Sequence, residues 1–183
     1  SIVNITGFQQ PKKTIYSLKE YELAFPLRDV YQNIYKSNVL IFINEVLNQV
    51  IQEEEANPQK FTFLESKIME LEKEQFDPNF HLLFLVQLTS FLGFEPDIHG
   101  KGTYYDYAEG DLTFSTPTHS HFFDQEETVL FQSLCEASFE TKSEINLSNR
   151  ARKRGLQLIL TYYRYHTEMR ELKSLPVLEM IFS

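Results

Sequence analysis

The chain has 183 residues, a length typical of one globular domain with an appendage, and 42% of them are hydrophobic, including 16 Phe and 10 Tyr. Only 6 Gly and 7 Pro occur, which favours helices over a β-fold with many turns. The single cysteine excludes an internal disulfide and a cysteine-based zinc site, and no apolar run is long enough to span a membrane. We therefore expect a reducing, cytoplasmic setting.

The net charge of −9 is unevenly distributed along the chain. Residues 95–146 contain 2 basic and 11 acidic residues, whereas residues 148–173 contain 7 basic and 2 acidic residues. An acidic body with one basic segment argues against a protein that coats nucleic acid broadly. It predicts instead one localised anion-binding face.

The first 50 residues change from an extended to a helical pattern. Residues 1–25 have an extended pattern, with imperfect alternation of apolar and polar side chains over residues 16–23, which predicts one or two strands. Two strands alone cannot bury a face, so these strands need further partners or a helix. From residue 28 the apolar residues recur at helical spacing, and we predict a first helix over residues 28–54.

Two short signals mark the next helices. Asn57 before Pro58 is typical of a helix start, and Asp77 before Pro78 repeats the signal. The third helix, over residues 81–91, is apolar on nearly every side. We therefore predict that it is the central, buried helix and that it ends at Gly93.

A β-hairpin is predicted between the third and fourth helices, with strands near residues 104–107 and 112–114. Asp124 is expected to cap a fourth helix that ends near Ala137. Ser148 or Asn149 starts a fifth helix, and Ser174 starts a short last helix. The predicted fold is mainly α, a bundle of about six helices with a small β-hairpin insertion and a short N-terminal β segment.

Several segments, taken in order, carry a resemblance to a known family. They include FINEVL at 42–47, EEEANP at 53–58, FHLLFL at 80–85, FLGFEP at 91–96 and YYRYH at 162–166. The ordered set resembles the C-terminal helical domain of the RecO family of DNA repair and recombination mediators, particularly its versions from Bacteroides-like bacteria. Because the chain starts at Ser1 with a strand-like sequence pattern, we expect it to be part of a longer protein.

The resemblance implies a domain division and a set of partners. Residues 1–26 would be the terminal strands of an N-terminal OB-fold, and residues 27–183 the C-terminal helical domain. It implies a non-enzymatic mediator that binds single- and double-stranded DNA, RecR and the acidic tail of single-strand-binding protein. Such a mediator assists strand annealing and RecA loading. We expect a monomer without a cofactor, not associated with a membrane and located at the nucleoid.

Two departures from the family pattern change these expectations. Many relatives carry a four-cysteine zinc site, but residues 97–123 contain no cysteine, so apolar packing is expected to hold the hairpin. Most of the OB-fold is also missing, and its basic, aromatic groove is what carries single strands. We therefore expect this chain to bind DNA weakly.

The strongest candidate site is a cluster of cations at the start of the fifth helix. Arg150, Arg152, Lys153 and Arg154 lie where positive charge opposes the helix dipole. One explanation is contact with phosphate or carboxylate groups, which arginine binds in bidentate fashion. The other is pairing with the acidic body, for example with residues 53–55 or Glu136.

A second candidate site is the start of the last helix. Lys173 and Ser174 there combine a helix N-terminus with an ammonium group, although capping alone also explains Ser174. An acidic, partly hydrophobic peptide tail needs both a cation and an apolar pocket. The predicted lining residues of that pocket are Tyr162, Tyr163, Leu175 and Leu178.

Two other functions stay open at this point. One is a protein-interaction scaffold that binds no DNA. The other is a metal-dependent enzyme that uses His119 and His121, although these are more often polar loop residues.

Five tyrosines offer rings for base stacking or, more commonly, for packing; they are Tyr104, Tyr105, Tyr107, Tyr162 and Tyr163. Cys135 has no adjacent histidine and is predicted to be an inert, buried thiol.

Overall fold

A computed structural model of the chain describes residues 1–9, 16–51, 56–140 and 146–182. The helices in these residues are α1 Arg28–Gln32, α2 Ile34–Val50, α3 Pro58–Lys73, α4 Phe80–Leu92, α5 Gln125–Glu136, α6 Asn149–His166 and α7 Leu175–Ile181. The strands are β1 Ile2–Gln9, β2 Tyr16–Phe25, β3 Tyr104–Asp106, β4 Asp111–Thr113 and β5 Phe122–Phe123. The predicted mainly α fold is confirmed. No described helix is both long enough and apolar enough to cross a membrane.

Helix α4 is the centre of the bundle, as its apolar sequence predicts. It packs against α2, α3, α5 and α6, and its Leu82, Leu83, Leu85 and Leu88 are fully buried. Each such leucine stabilises the fold by about 1.5–3 kcal/mol. The helix ends at Gly93, whose φ of 82° is a left-handed conformation that glycine adopts without strain. It begins at Phe80, slightly later than the Asp77-Pro78 signal indicates, because Asp77 first forms a turn by accepting from the Asn79 N–H.

The prediction of one helix over residues 28–54 was wrong, because Asn33 divides this segment. Asn33 has extended backbone angles, and its side chain accepts hydrogen bonds from the N–H groups of Tyr35 and Lys36. An asparagine side chain competes with the helical backbone for these donors. It therefore ends α1 and caps α2, which itself ends at Val50. The acidic residues 53–55 lie outside the described residues.

A carboxylate from another helix caps α1. Glu72 on α3 accepts hydrogen bonds of 2.9 Å from the N–H groups of Arg28, Asp29 and Val30. Burial raises the pKa of Glu72, but these hydrogen bonds outweigh that effect, so the pKa lies below its ordinary value. The negative charge at the positive end of α1 stabilises a helix of only five residues.

The predicted β-hairpin is present and gains a third strand. Strand β3 lies between β4 and β5, and both neighbours run antiparallel to it. Tyr105, Leu112 and Phe123 of this sheet are buried. Tyr105 also donates its N–H to the hydroxyl of Thr128 on α5, at 2.9 Å. The sheet is thus held on the helices by apolar packing, as expected from its lack of cysteines.

The first two strands form a separate antiparallel hairpin. Irregularities in its register occur at Ile2/Val3 and Thr6/Gly7. Its large apolar side chains are mostly exposed, for example Ile5, Leu18 and Tyr21. The hairpin therefore adds little to the core of the helical bundle.

Candidate functional site

Most of the basic segment, residues 148–173, forms α6, and this helix contains no acidic residue. As predicted, Ser148 caps the helix by accepting a hydrogen bond from the Ala151 N–H at 3.2 Å. Arg150, Lys153 and Arg154 lie three and four residues apart on the exposed side of the helix, whereas Arg152 lies on its buried side.

Arg152 is buried, with 7% of its surface exposed. Its guanidinium donates to Asn79 Oδ1 at 3.0 Å, to Asn149 Oδ1 at 2.8 Å and to the Leu147 carbonyl oxygen at 3.0 Å. Burial lowers the pKa of Arg152 and the charge of Asp77 raises it, with a net lowering, but an arginine keeps its proton in proteins. Arg152 therefore joins the start of α6 to the start of α4 and is not displayed outward.

The other three cations lie at the surface. Lys153 pairs with Glu179 of α7 at 2.9 Å, and Arg154 pairs with Glu127 of α5. The acidic partners are thus Glu127 and Glu179, not the expected Glu136. Exposed ion pairs contribute only about 0–1 kcal/mol, so an incoming anion can replace them. Arg150 is exposed and forms no ion pair with any described residue.

Arg150, Arg152 and Lys153 border a pocket of about 250 Å³ between α4, α6 and α7. Its apolar wall contains Leu156, Leu178 and the ring of Phe182. Its polar lining consists of His81, Asn149, Arg150, Arg152, Lys153 and Glu179. The pocket therefore combines an apolar wall with three cations and one carboxylate, Glu179, which pairs with Lys153.

His81 and Phe182 form one side of this pocket, and neither is among the predicted site residues. Their rings stack at 5.2 Å between centroids, with an interplanar angle of 12°. Burial, and then the charge of Arg152, lower the pKa of His81 to about 3, so its ring is neutral at physiological pH. Its buried Nδ1 has no hydrogen-bond partner in the described part of the chain, which is uncommon for a buried polar atom. Only the position of a histidine within an apolar helix marked it in the sequence.

The predicted pocket residues divide between the pocket and the core. Leu178 lies in the pocket wall, and Leu175 is half-buried outside this lining. Tyr162 and Tyr163 belong to the core, because their hydroxyls donate to the carbonyl oxygens of Phe94 and Leu85 at 2.8 and 2.7 Å. The expectation that both tyrosines line a partner pocket is thereby corrected.

The predicted anion site at Lys173 and Ser174 is occupied by the protein's own carboxylate. Glu45 on α2 accepts from the Lys173 N–H and the Ser174 N–H, each at 2.8 Å, and from the Ser174 hydroxyl at 2.5 Å. Burial raises the pKa of Glu45, but these hydrogen bonds outweigh it, and the pKa lies below its ordinary value. The site therefore fastens α7 to α2 and leaves no free anion-binding group on the backbone of these two residues.

The histidines of the metal hypothesis have other partners. His119 Nε2 lies 3.0 Å from Asp106 Oδ2, and its Nδ1 accepts from the His121 N–H at 3.2 Å. Among the described residues, no group of three or more His, Cys, Asp or Glu side chains is arranged to hold a metal ion. Burial raises the pKa of the Cys135 thiol to about 12, so this group is a poor nucleophile.

Comparison with known proteins identifies the family of this chain. Residues 31–176 match the family described as "Recombination protein O C terminal". The chain belongs to the RecO family. This membership confirms the resemblance and places the RecO-family chain in DNA repair and recombination.

Alignments that cover the whole of this chain and about three quarters of curated RecO proteins support the assignment. The chain is 33% identical to DNA repair protein RecO of Flavobacterium psychrophilum over 186 residues, which is 100% of this chain and 77% of the relative. The RecO of Flavobacterium johnsoniae is 32% identical with the same coverage. The RecO of Phocaeicola vulgatus is 30% identical over 187 residues, or 78% of its length.

Proposed function

We propose that this RecO-family chain is an adaptor in recombinational DNA repair whose pocket at the start of α6 binds the acidic tail of single-strand-binding protein. The observation that carries the proposal is the pocket itself, in which an apolar wall meets three cations. The chain as a whole has a net charge of −9, so few other surfaces attract an acidic peptide.

Each part of the pocket has a role in this proposal. Leu156, Leu178 and Phe182 accept an apolar side chain of the tail. Arg150 binds a carboxylate in bidentate fashion, because it has no ion pair to give up. Lys153 exchanges Glu179 for a carboxylate of the tail, and such a weak surface pair permits the exchange. Arg152 keeps its internal hydrogen bonds and adds positive potential.

The test is fluorescence anisotropy with a labelled acidic peptide that ends in an apolar residue. Arg150→Glu is expected to weaken binding by about tenfold or more, since it replaces an attraction with a repulsion. Arg164→Glu is the matched control, because Arg164 is an exposed arginine of the same helix that does not line the pocket. Equal binding by the chain and Arg150→Glu would contradict the proposal.

The start of α6 is less suited to binding DNA phosphates than to binding the tail. Arg152 is buried, so only the other three cations there can meet phosphates, and the net charge of the chain is −9. This observation favours the second candidate, a protein-interaction scaffold that binds no DNA by itself. A salt titration of single-strand binding separates the two, because phosphate contact gives steep salt dependence and a scaffold gives none.

The remaining family properties are proposals for this chain. We propose that the hairpin of residues 2–25 belongs to an OB-fold, which is supported by its exposed apolar side chains. Binding of RecR and double-stranded DNA, and help with strand annealing and RecA loading, are carried over from the family. Pull-down of RecR by the chain tests the first of these directly.

A further inference from the structure

Glu179 of α7 places a carboxylate inside the pocket at the start of α6. Its Oε2 lies 2.9 Å from Lys153 Nζ, and its side chain is 24% exposed. Among the described residues that line the pocket, Glu179 alone is acidic. A group of the protein itself thus occupies one of the positions that a carboxylate of a ligand would take.

The three cations of the lining differ in what a ligand must displace to reach them. Arg150 is exposed and forms no ion pair with a described residue, so a first carboxylate meets it directly. Arg152 is buried, and each nitrogen of its guanidinium already donates to an oxygen of the protein. Lys153 is paired with Glu179. A second carboxylate in the pocket therefore reaches a surface cation only by displacing Glu179.

Packing keeps Glu179 beside the pocket even when its side chain leaves Lys153. The preceding Leu178 is only 1% exposed, and the start of α7 is held by two N–H groups that donate to Glu45 at 2.8 Å. The backbone of Glu179 therefore stays in place. A displaced Glu179 carboxylate remains close to the carboxylate that replaced it, and the two repel each other.

We propose that Glu179 is an internal competitor for the carboxylates of the ligand, an inference that rests on the proposed function of the pocket. Binding of an acidic peptide is then an exchange of one ion pair for another at Lys153 and a net gain of a pair at Arg150. Burial of the apolar side chain of the peptide against Leu156 and Leu178 sets most of the affinity. Glu179 thereby keeps the affinity low for polyanions that have no apolar part.

The first experiment varies the number of carboxylates in the ligand. Fluorescence anisotropy is measured with two labelled peptides of equal length that end in leucine, one with a single aspartate and one with three neighbouring aspartates. Glu179→Gln is expected to strengthen binding of the three-aspartate peptide by about five- to tenfold. A surface pair of this kind reduces the affinity by up to about fivefold, and the repulsion adds to that effect. Binding of the single-aspartate peptide should change by no more than about twofold, because Arg150 alone serves it.

The second experiment measures how the affinity for the three-aspartate peptide depends on salt. In the parent chain the exchange at Lys153 replaces one screened pair by another, so the affinity should fall only gently as salt is added. In Glu179→Gln the peptide forms a pair where none existed, and the fall should be distinctly steeper. A merely structural effect of the substitution would not change this slope. Urea unfolding midpoints of the two chains should be similar, because an exposed pair contributes little.

Glu168→Gln is the matched control, because it removes the same charge from an exposed position beyond the end of α6. Along the helix, Lys153 and His166 are about 20 Å apart, which exceeds the screening length of about 8 Å at physiological salt. The affinities for both peptides should therefore stay within about twofold. If Glu168→Gln strengthens binding as much as Glu179→Gln does, the effect is one of net charge, and competition at Lys153 is refuted.

The outcomes separate this inference from the proposed function. Peptide binding that is lost in Arg150→Glu but equal in the parent chain and Glu179→Gln overturns the competitor and leaves the function of the pocket standing. Binding of the three-aspartate peptide by Glu179→Gln alone supports the competitor. Its absence from both the parent chain and Glu179→Gln overturns the competitor and the proposed function together.

Discussion

Replacement of Arg152 tests whether this buried arginine stabilises the fold more than an exposed cation of the same helix does. Arg152→Ala deprives the buried Asn79 Oδ1 of its Arg152 donor, at a cost of about 1–3 kcal/mol. It also removes the cation–π contact between the guanidinium and the Phe182 ring, 5.9 Å apart, which contributes about 0.5–1 kcal/mol. The packing of the buried aliphatic part of the Arg152 side chain is lost as well. We expect the free energy of unfolding to fall by about 3 kcal/mol, which corresponds to a Tm lower by about 6–12 °C.

Urea unfolding at neutral pH, followed by circular dichroism, measures this loss. Lys153→Ala is the matched control, since it removes one exposed pair and should cost at most about 1 kcal/mol. If Arg152→Ala is no more destabilising than Lys153→Ala, then the guanidinium is not part of the core network, and the reasoning that separates the two residues is wrong.

Three further predictions concern the contact of Glu45 with the start of α7, the capping of α5 by Asp124 and the reactivity of the Cys135 thiol. Glu45 has a folded-state pKa below its ordinary value of 4.5, so its stabilisation is complete above that value and is lost as the pH falls through the lowered pKa. Glu45→Gln should therefore lower the free energy of unfolding by about 1–2 kcal/mol at pH 7. In acid, the variant and the parent chain should have similar free energies of unfolding, as urea unfolding at several pH values would show. Asp124→Ala breaks the capping box with Glu127 and should lower the free energy of unfolding by about 1 kcal/mol; an unchanged urea midpoint would contradict this. Cys135 should react with Ellman's reagent at pH 8 far more slowly in the folded chain than in urea, because burial raises its pKa to about 12.

Much of the fold could be predicted because local signals agree with tertiary packing. The apolar run of α4, the glycine at its end and the capping residues Asn57, Asp124 and Ser148 act within a few positions of the chain. Asn33 was missed because an asparagine inside an apolar-periodic segment is tolerated in many helices. Its effect depends on α1 being held separately by Glu72, which is distant in sequence.

The candidate site was predicted in part. The basic start of α6 was identified, but its four cations were treated as one group. Arg152 follows the same helical period as Leu156, Ile159 and Tyr163 and so lies on the buried stripe, a signal that the sequence did contain. Contacts between distant segments left no such signal. The capture of Ser174 by Glu45 and the presence of Phe182 in the pocket wall arise only when α7 packs on the bundle.

The helix α7 makes the pocket an assembled site. It has seven residues, too few to persist as a helix without tertiary contacts, and it supplies Leu178 and Glu179 to the lining. The affinity of the pocket therefore scales with the fraction of molecules in which α7 is docked. Loss of the hydrogen bonds that Glu45 accepts from Lys173 and Ser174 would weaken the binding of a ligand that does not contact Glu45. A bound ligand would in turn slow amide hydrogen exchange throughout α7.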